Sequence, residues 1–384
     1  MGRKLALAAT GAVLVLAIVE GIAFAASFAL RNLFDERAEV EARRDAGEQA
    51  TFAATYGDPV LGWSRKTAGT TPDRDCLGHD VAYTIDADGA RTAPGFDAAR
   101  ARVIAIGDSY TFGIETADAD AYPARLAARL GAPVANQGVA GYDPLQSELL
   151  LERKRALYPA AEVVVLGIMY EDVLRLVNGY RPILHDARML YAFKPYMRNG
   201  AVVPHPGERA LSDFAAVRRL VDDAFDHDFW ARPRRTFPYT LALGRALASN
   251  HFLLRDLGRD LRKRGVPEFA FAFRSPRIAD ELVAFFDRFA AYARDHGLRP
   301  LVVFLPRSRY DTTSAAHFVA RERARFPADL AVADAGEAPI AWDRYNLEVV
   351  SGHDLDICHP SAYGYDAIAE TVAAAIDRDG LLRR

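Results

Sequence analysis

Cysteine is scarce in this chain: Cys76 and Cys358 are its only two among 384 residues, enough for one disulfide or for two separate thiols. There is no HExxH, and the nine histidines form no clustered Cys/His spacing. A zinc site would therefore be short of ligands, even with His353 and Asp354 close to other donors. Basic stripes interleaved with aromatics are missing too. The densest basic cluster, Arg232, Arg234 and Arg235, follows an acidic stretch holding Asp222, Asp223, Asp226 and Asp228, which argues against a nucleic-acid partner. The sequence contains neither internal repeats nor low-complexity tracts. What is there reads as a globular protein, 51% hydrophobic and 26% charged, with a formal net charge of -3.

Residues Leu5 to Leu30 are almost continuously apolar, broken by Glu20 and small residues and preceded by Arg3 and Lys4. A helix of about 20 residues crosses a bilayer core, and a leading basic pair stays on the cytoplasmic side. Two readings compete: a retained signal anchor, or a signal peptide cleaved after Ala23-Phe24-Ala25. The apolar run exceeds the roughly 7 to 15 residues of a usual signal core, which favours the anchor. A carboxyl inside hydrocarbon is costly, so Glu20 marks either a helix partner or a shifted boundary. Ala6 breaks the myristoylation pattern that Met1-Gly2 would begin. The expectation is a single-pass membrane protein whose folded part lies on the periplasmic or extracellular side. An oxidising compartment leaves open whether Cys76 and Cys358 are bonded or free.

Residues 31–100 follow as an exported linker and wrapping segment. From Arg31 to about Ala50 the charged, alanine-rich composition reads as a spacer. Beyond it, Gly, Pro and Asp punctuation around short apolar runs predicts strands and turns. Residues 101–384 form the main domain. Short β-branched runs near Val103 to Ile106, Val134 to Asn136, Val163 to Gly167, Pro300 to Leu305 and Leu330 to Ala333 read as strands. Tyr122 to Leu130, Gln146 to Tyr158 and Ile278 to His296 carry apolar residues at helical spacing. This alternation predicts an α/β fold, a three-layer α/β/α flavodoxin-like parallel sheet. A helical insertion at about 200–275 interrupts it, shaping a substrate cleft or resting on the membrane.

Two short motifs carry chemistry. Gly107-Asp108-Ser109 follows the first strand, which sets Ser109 at the carboxyl rim where ligands of such sheets gather. Asp356-Ile357-Cys358-His359-Pro360 supplies an imidazole and a carboxylate on one short loop. A serine hydroxyl becomes nucleophilic when an imidazole takes its proton, and the imidazole does so best when a carboxylate fixes its tautomer. Asp108 reads as a residue that ties the turn rather than a third catalytic member.

In these residues the chain resembles the SGNH, or GDSL, hydrolase superfamily. The first block is Ile106 to Gly113 and the last is Asp356 to Tyr365. Between them Asn136-Gln137-Gly138-Val139-Ala140-Gly141-Tyr142 is similar to the second block, with Gly141 in the place of the oxyanion glycine. The apolar anchor, the turn Leu61-Gly62-Trp63 and Gly89-Ala90-Arg91 resemble membrane-attached bacterial members. The resemblance implies ester hydrolysis by Ser109, His359 and Asp356, with the amides of Ser109 and Gly141 receiving the oxyanion and no metal or organic cofactor required. It implies acyl-ester substrates, acetylated glycans of the cell envelope among them.

The third block departs from the pattern, because Glu171 stands where the family has asparagine, followed by Asp172. An asparagine amide donates to an oxyanion, whereas an ionised glutamate only accepts. Three possibilities stay open: Glu171 points away, Glu171 is protonated in a dry pocket, or Asn178 supplies the amide. Rival readings are an O-acetyltransferase with the same triad, a noncatalytic glycan-binding scaffold, and a lipase whose entrance is Phe269-Ala270-Phe271-Ala272-Phe273.

Overall fold

The computed structural model describes residues 2–65, 68–92, 96–184, 190–212, 214–249, 273, 275–307, 309–351 and 354–383; side chains of 32, 214, 216, 249, 309–314 and 347–357 are also outside the described set. The chain begins with one apolar helix, α1 (Gly2–Ala29), whose 28 residues are long and apolar enough to cross a membrane. At 1.5 Å per residue it measures about 42 Å, against roughly 30 Å of hydrocarbon.

Two leading strands, β1 (Gly69–Arg74) and β2 (Asp80–Ile85), pair antiparallel as a hairpin. The central sheet follows, built from β3 (Val103–Gly107), β4 (Val134–Gly138), β5 (Val163–Met169), β6 (Arg299–Leu305) and β7 (Ala331–Asp334). All four pairings are parallel, in the order β7-β6-β5-β3-β4. With β3 counted first this is the flavodoxin-like order, whose ligand crevice lies at the carboxyl ends of the strands. The five runs predicted as strands are these five, each within two residues.

Every residue of β3 and β5 is buried, as expected of strands covered on both faces. The period of two divides their side chains between two cores. Ile104, Ile106, Val164, Leu166 and Val302 face α4 (Pro144–Lys154) and α8 (Pro276–Asp295), packing with Leu145, Leu151, Phe285, Phe286 and Phe289. Val103, Ala105, Val163, Val165 and Val303 face α3 (Tyr122–Leu130) and α10 (Ala362–Arg378), packing with Leu126, Ile368 and Val372. Fully burying one such side chain stabilises by about 1.5 to 3 kcal/mol, so both layers are held by the same transfer term.

Between β5 and α8 the described insertion contains a short hairpin, Tyr196–Arg198 with Ala201–Val203, and the helices α6 (Phe214–His227) and α7 (Tyr239–Ser249). Val217, Val221, Phe225 and Trp230 extend the α4/α8 core, and the Trp230 indole donates to the Leu174 carbonyl at 3.0 Å. Of the Phe269 to Phe273 run only Phe273 is described; it is buried against Tyr170, Phe304 and Phe318, so it lines no entrance.

Residues after the apolar helix do not form the free spacer that their composition predicts. Val40, on the helix Arg37–Arg43, is buried in the main core, and the Arg37 guanidinium pairs with Asp222 at 2.8 Å and Asp226 at 2.6 Å on α6. Glu20 has a helix partner. Its carboxylate accepts from the Tyr239 amide at 2.6 Å and the Thr240 amide at 3.3 Å, and Thr240 donates its hydroxyl as well. A side chain of α1 thus caps α7, whose own first-turn amides lack intrahelical acceptors.

Candidate active site

Ser109 opens the short helix α2 (Ser109–Phe112) directly after β3, at the carboxyl rim of the sheet. Asp108 is its N-cap: one carboxylate oxygen accepts from the Tyr110 amide at 2.9 Å, and the other lies 3.3 Å from Ser109 Oγ. Asp108 is fully buried, and that burial pushes its carboxyl upward, opposed by the nearby Arg175 guanidinium. The turn lies close against the end of β4. A side chain at Gly138 would overlap the backbone of Thr111 and Phe112, so this position admits only glycine.

His359 arrives on the antiparallel pair β8 (Asn346–Ser351) and β9 (Asp354–Pro360). Its Nε2 lies 3.0 Å from Ser109 Oγ, and its ring packs against Tyr110. The opposite ring nitrogen, Nδ1, lies 3.4 Å from Glu115 Oε1. Glu115 Oε2 accepts from the His359 main-chain amide at 3.0 Å. Asp356, the acid that the sequence motif designates, belongs to β9 by its backbone; its side chain lies outside the described residues. Glu115 was not singled out by sequence reasoning.

Glu115 has a positive φ of 65°. A non-glycine residue in that region costs of order 1 kcal/mol or more unless its surroundings hold it. They do so from the leading segment. The Glu115 amide donates to the Tyr83 hydroxyl at 3.0 Å, from β2. Arg91 donates to the carbonyls of Phe112 at 3.0 Å and Thr116 at 2.7 Å, and to that of Gly113 between them. Burial raises the Tyr83 hydroxyl to about 12, which keeps it a neutral partner for the Glu115 amide. Cys76, in the turn joining β1 to β2, is disulfide-bonded to Cys358, the neighbour of His359. The hairpin is therefore tied to both the Glu115 loop and the His359 strand.

A second leading motif holds the Gly141 loop. Trp63 donates from its indole to the Ala140 carbonyl at 3.2 Å, while its own carbonyl accepts from the Tyr142 hydroxyl at 2.5 Å. Gln146 reaches the Leu61 carbonyl at 2.7 Å. Gly141 itself has φ 78°, a left-handed conformation that glycine adopts without a Cβ penalty. As the first residue of a helix, Ser109 presents an amide with no intrahelical acceptor.

Glu171 offers no donor. On α5 (Tyr170–Arg175) its two oxygens meet the guanidiniums of Arg175 and Arg307, each at 2.9 Å. One guanidinium per oxygen is the arrangement of an ionised carboxylate. Asn178 is committed elsewhere: its amide donates to the Tyr180 carbonyl at 2.9 Å and to Asp228 at 3.2 Å. Asp172 is buried beneath, accepting from the Met169 amide and from Arg175. Burial, helped by neighbouring Asp108, pushes the Asp172 carboxyl well up.

Cys76, Glu115 and Cys358 bring potential metal donors together, but with the two sulfurs bonded to each other neither is a thiolate ligand. A cleft of about 690 Å³ lies at the β7 edge between α9 (Arg309–Glu322) and α10 and is lined by Ala316, Asp334, Tyr363 and Arg378. It does not include Ser109, His359 or Glu115.

No family model and no curated protein matches the chain. Among solved structures it is similar to that of a lipolytic protein assigned to the G-D-S-L family from Desulfitobacterium hafniense DCB-2. Identity is 12% and the TM-score 0.32, over 71% of this chain and 98% of that one.

Proposed function

We propose that this chain is a serine esterase of SGNH type, anchored in the membrane by α1 and acting on acyl esters of the cell envelope. The observation that carries the reading is the 3.0 Å separation of His359 Nε2 from Ser109 Oγ at the carboxyl rim of the parallel sheet. That is hydrogen-bond reach for proton removal from a nucleophile.

Ser109 Oγ attacks the ester carbonyl carbon while its proton passes to His359 Nε2. The tetrahedral oxyanion is received by the amides of Ser109 and Gly141. Collapse breaks the carbon–oxygen bond to the alcohol, which leaves with the proton from His359. Water then attacks the acyl-serine, giving its proton to His359, and the carboxylic acid departs as Ser109 recovers its proton. Glu171, already neutralised by Arg175 and Arg307, takes no part as a donor.

The folded part lies on the periplasmic or extracellular face, and acetylated glycans are the substrate class favoured by that location. The insertion sits at the membrane: α7 rests on α1 through Glu20, and Phe237 and Leu241 beside it are exposed apolar groups.

The test is labelling of the full-length protein by a fluorophosphonate, with hydrolysis of a short acyl ester in parallel. Wild type is expected to be labelled, and Ser109→Ala to lose the label and roughly 10⁴-fold or more of the turnover. Acyl transfer to added oligosaccharide in preference to water would recast the enzyme as an O-acetyltransferase. Wild-type protein that resists the label and hydrolyses no ester would leave a glycan-binding scaffold.

A further inference from the structure

We propose that Glu115, rather than the Asp356 that the motif designates, is the positioning carboxylate of His359. The inference rests on the reading of Ser109 and His359 as nucleophile and base. For Nε2 to accept the serine proton, Nδ1 must carry the ring's own proton, and a carboxylate facing Nδ1 selects that tautomer and steadies the imidazolium. Glu115 Oε1 faces Nδ1 at 3.4 Å, within ion-pair reach, and catalytic hydrogen bonds are often long in a substrate-free site. Its other oxygen accepts the His359 amide at 3.0 Å, so one carboxylate fixes both the ring and the strand that carries it.

Three features argue that this contact is built rather than incidental. Glu115 adopts a left-handed backbone conformation that points the side chain across from α2 to β9. Its amide and the carbonyls on either side are taken by Tyr83 and Arg91, both from the leading segment. The hairpin that supplies Tyr83 is covalently joined to Cys358. The carboxylate is largely shielded, with 16% of the side chain exposed, which strengthens its attraction to an imidazolium. Nucleophile and positioning acid therefore come from one stretch, Ser109 to Glu115, and the base alone comes from the distant strand.

The experiment compares wild type, Glu115→Gln, Glu115→Asp and Asp356→Asn as full-length proteins in detergent micelles. Two readouts are taken: the downfield proton resonance of a histidine Nδ1–H bonded to a carboxylate, and kcat and KM on a short acyl ester. Glu115→Gln is expected to lose the resonance and to lower kcat by roughly 10² to 10⁴-fold with KM nearly unchanged. Glu115→Asp restores the resonance and part of kcat, which separates the charge from mere folding. Asp356→Asn keeps the resonance and stays within about tenfold of wild-type kcat. The assignment is overturned if Asp356→Asn loses both signals while Glu115→Gln keeps them, or if both variants lose them alike. A wild type without esterase activity defeats the reading of Ser109 as nucleophile, yet the resonance still decides between the two carboxylates.

Discussion

Arg91 Nε lies 2.8 Å from Asp118 Oδ1, and the Arg91 side chain is 2% exposed. This pair, buried at Arg91 and half-buried at Asp118, together with the three main-chain carbonyls that the same guanidinium satisfies, fixes the loop between α2 and α3 that carries Glu115. Removing the guanidinium leaves three buried main-chain carbonyls without their donor, and each such unsatisfied group typically costs about 1 to 3 kcal/mol. Arg91→Ala should lower the thermal melting temperature and slow fluorophosphonate labelling of Ser109 together. Arg91→Lys keeps the charge but lacks the planar fork. It should recover part of the stability and little of the labelling rate. Equal recovery of both would show that the loop does not depend on the fork.

The interface between α4 and α8 predicts a pH-dependent stability. Burial pushes the Glu148 carboxyl up to about 7, against the opposing Arg288 guanidinium 2.9 Å away. A raised carboxyl binds more protons in the folded than in the unfolded chain. Its stabilising contribution is complete below the unfolded value of 4.5 and is lost as pH rises through about 7. The span corresponds to about 3 kcal/mol. Melting of wild type should therefore weaken between pH 5 and pH 8 relative to Glu148→Gln, measured in parallel at ~8 and ~5 and all points between. Parallel curves for the two proteins would refute the assignment.

The carboxylate of Glu20 acts as an N-cap supplied in trans by another helix. Losing a cap costs roughly 1 to 2 kcal/mol, and 1.4 kcal/mol is tenfold in an equilibrium constant. In Glu20→Ala, hydrogen exchange across Tyr239 to Ser249 should accelerate by about tenfold in lipid nanodiscs, with the sheet amides unchanged. Unaltered exchange in that helix would show the cap to be dispensable.

Much of the fold was legible in the sequence because buried parallel strands leave a plain mark. Val163-Val164-Val165-Leu166 and Leu301-Val302-Val303-Phe304 are β-branched or apolar throughout, since both faces are covered. That Ser109 and His359 would meet was legible for a similar reason, each sitting in a short local motif. What escaped was long-range and made of single residues. Val40 and Arg37 dock the helix Arg37–Arg43 onto the main domain, but one apolar and one basic residue leave no periodic trace in a charged, alanine-rich stretch.

Glu115 escaped for a different reason. It lies close to Ser109 in sequence, but its role arises from a left-handed turn and from a strand that arrives 244 residues later. Neither composition nor spacing encodes that encounter. Arg91 and Trp63 were visible only as features accompanying membrane attachment. Their positions give them a chemical meaning, one clamping the Glu115 loop and the other the Gly141 loop. Glu171 looked like damage to an oxyanion pocket when read alone. Beside Arg175 and Arg307 it is one member of a charge cluster.

The bond between Cys76 and Cys358 joins positions 282 residues apart, and such bonds persist only where thiols are oxidised. A polypeptide whose Cys76 and Cys358 are still thiols lacks the clasp beside its imidazole. The order of the His359 strand is thereby coupled to the redox state of its surroundings.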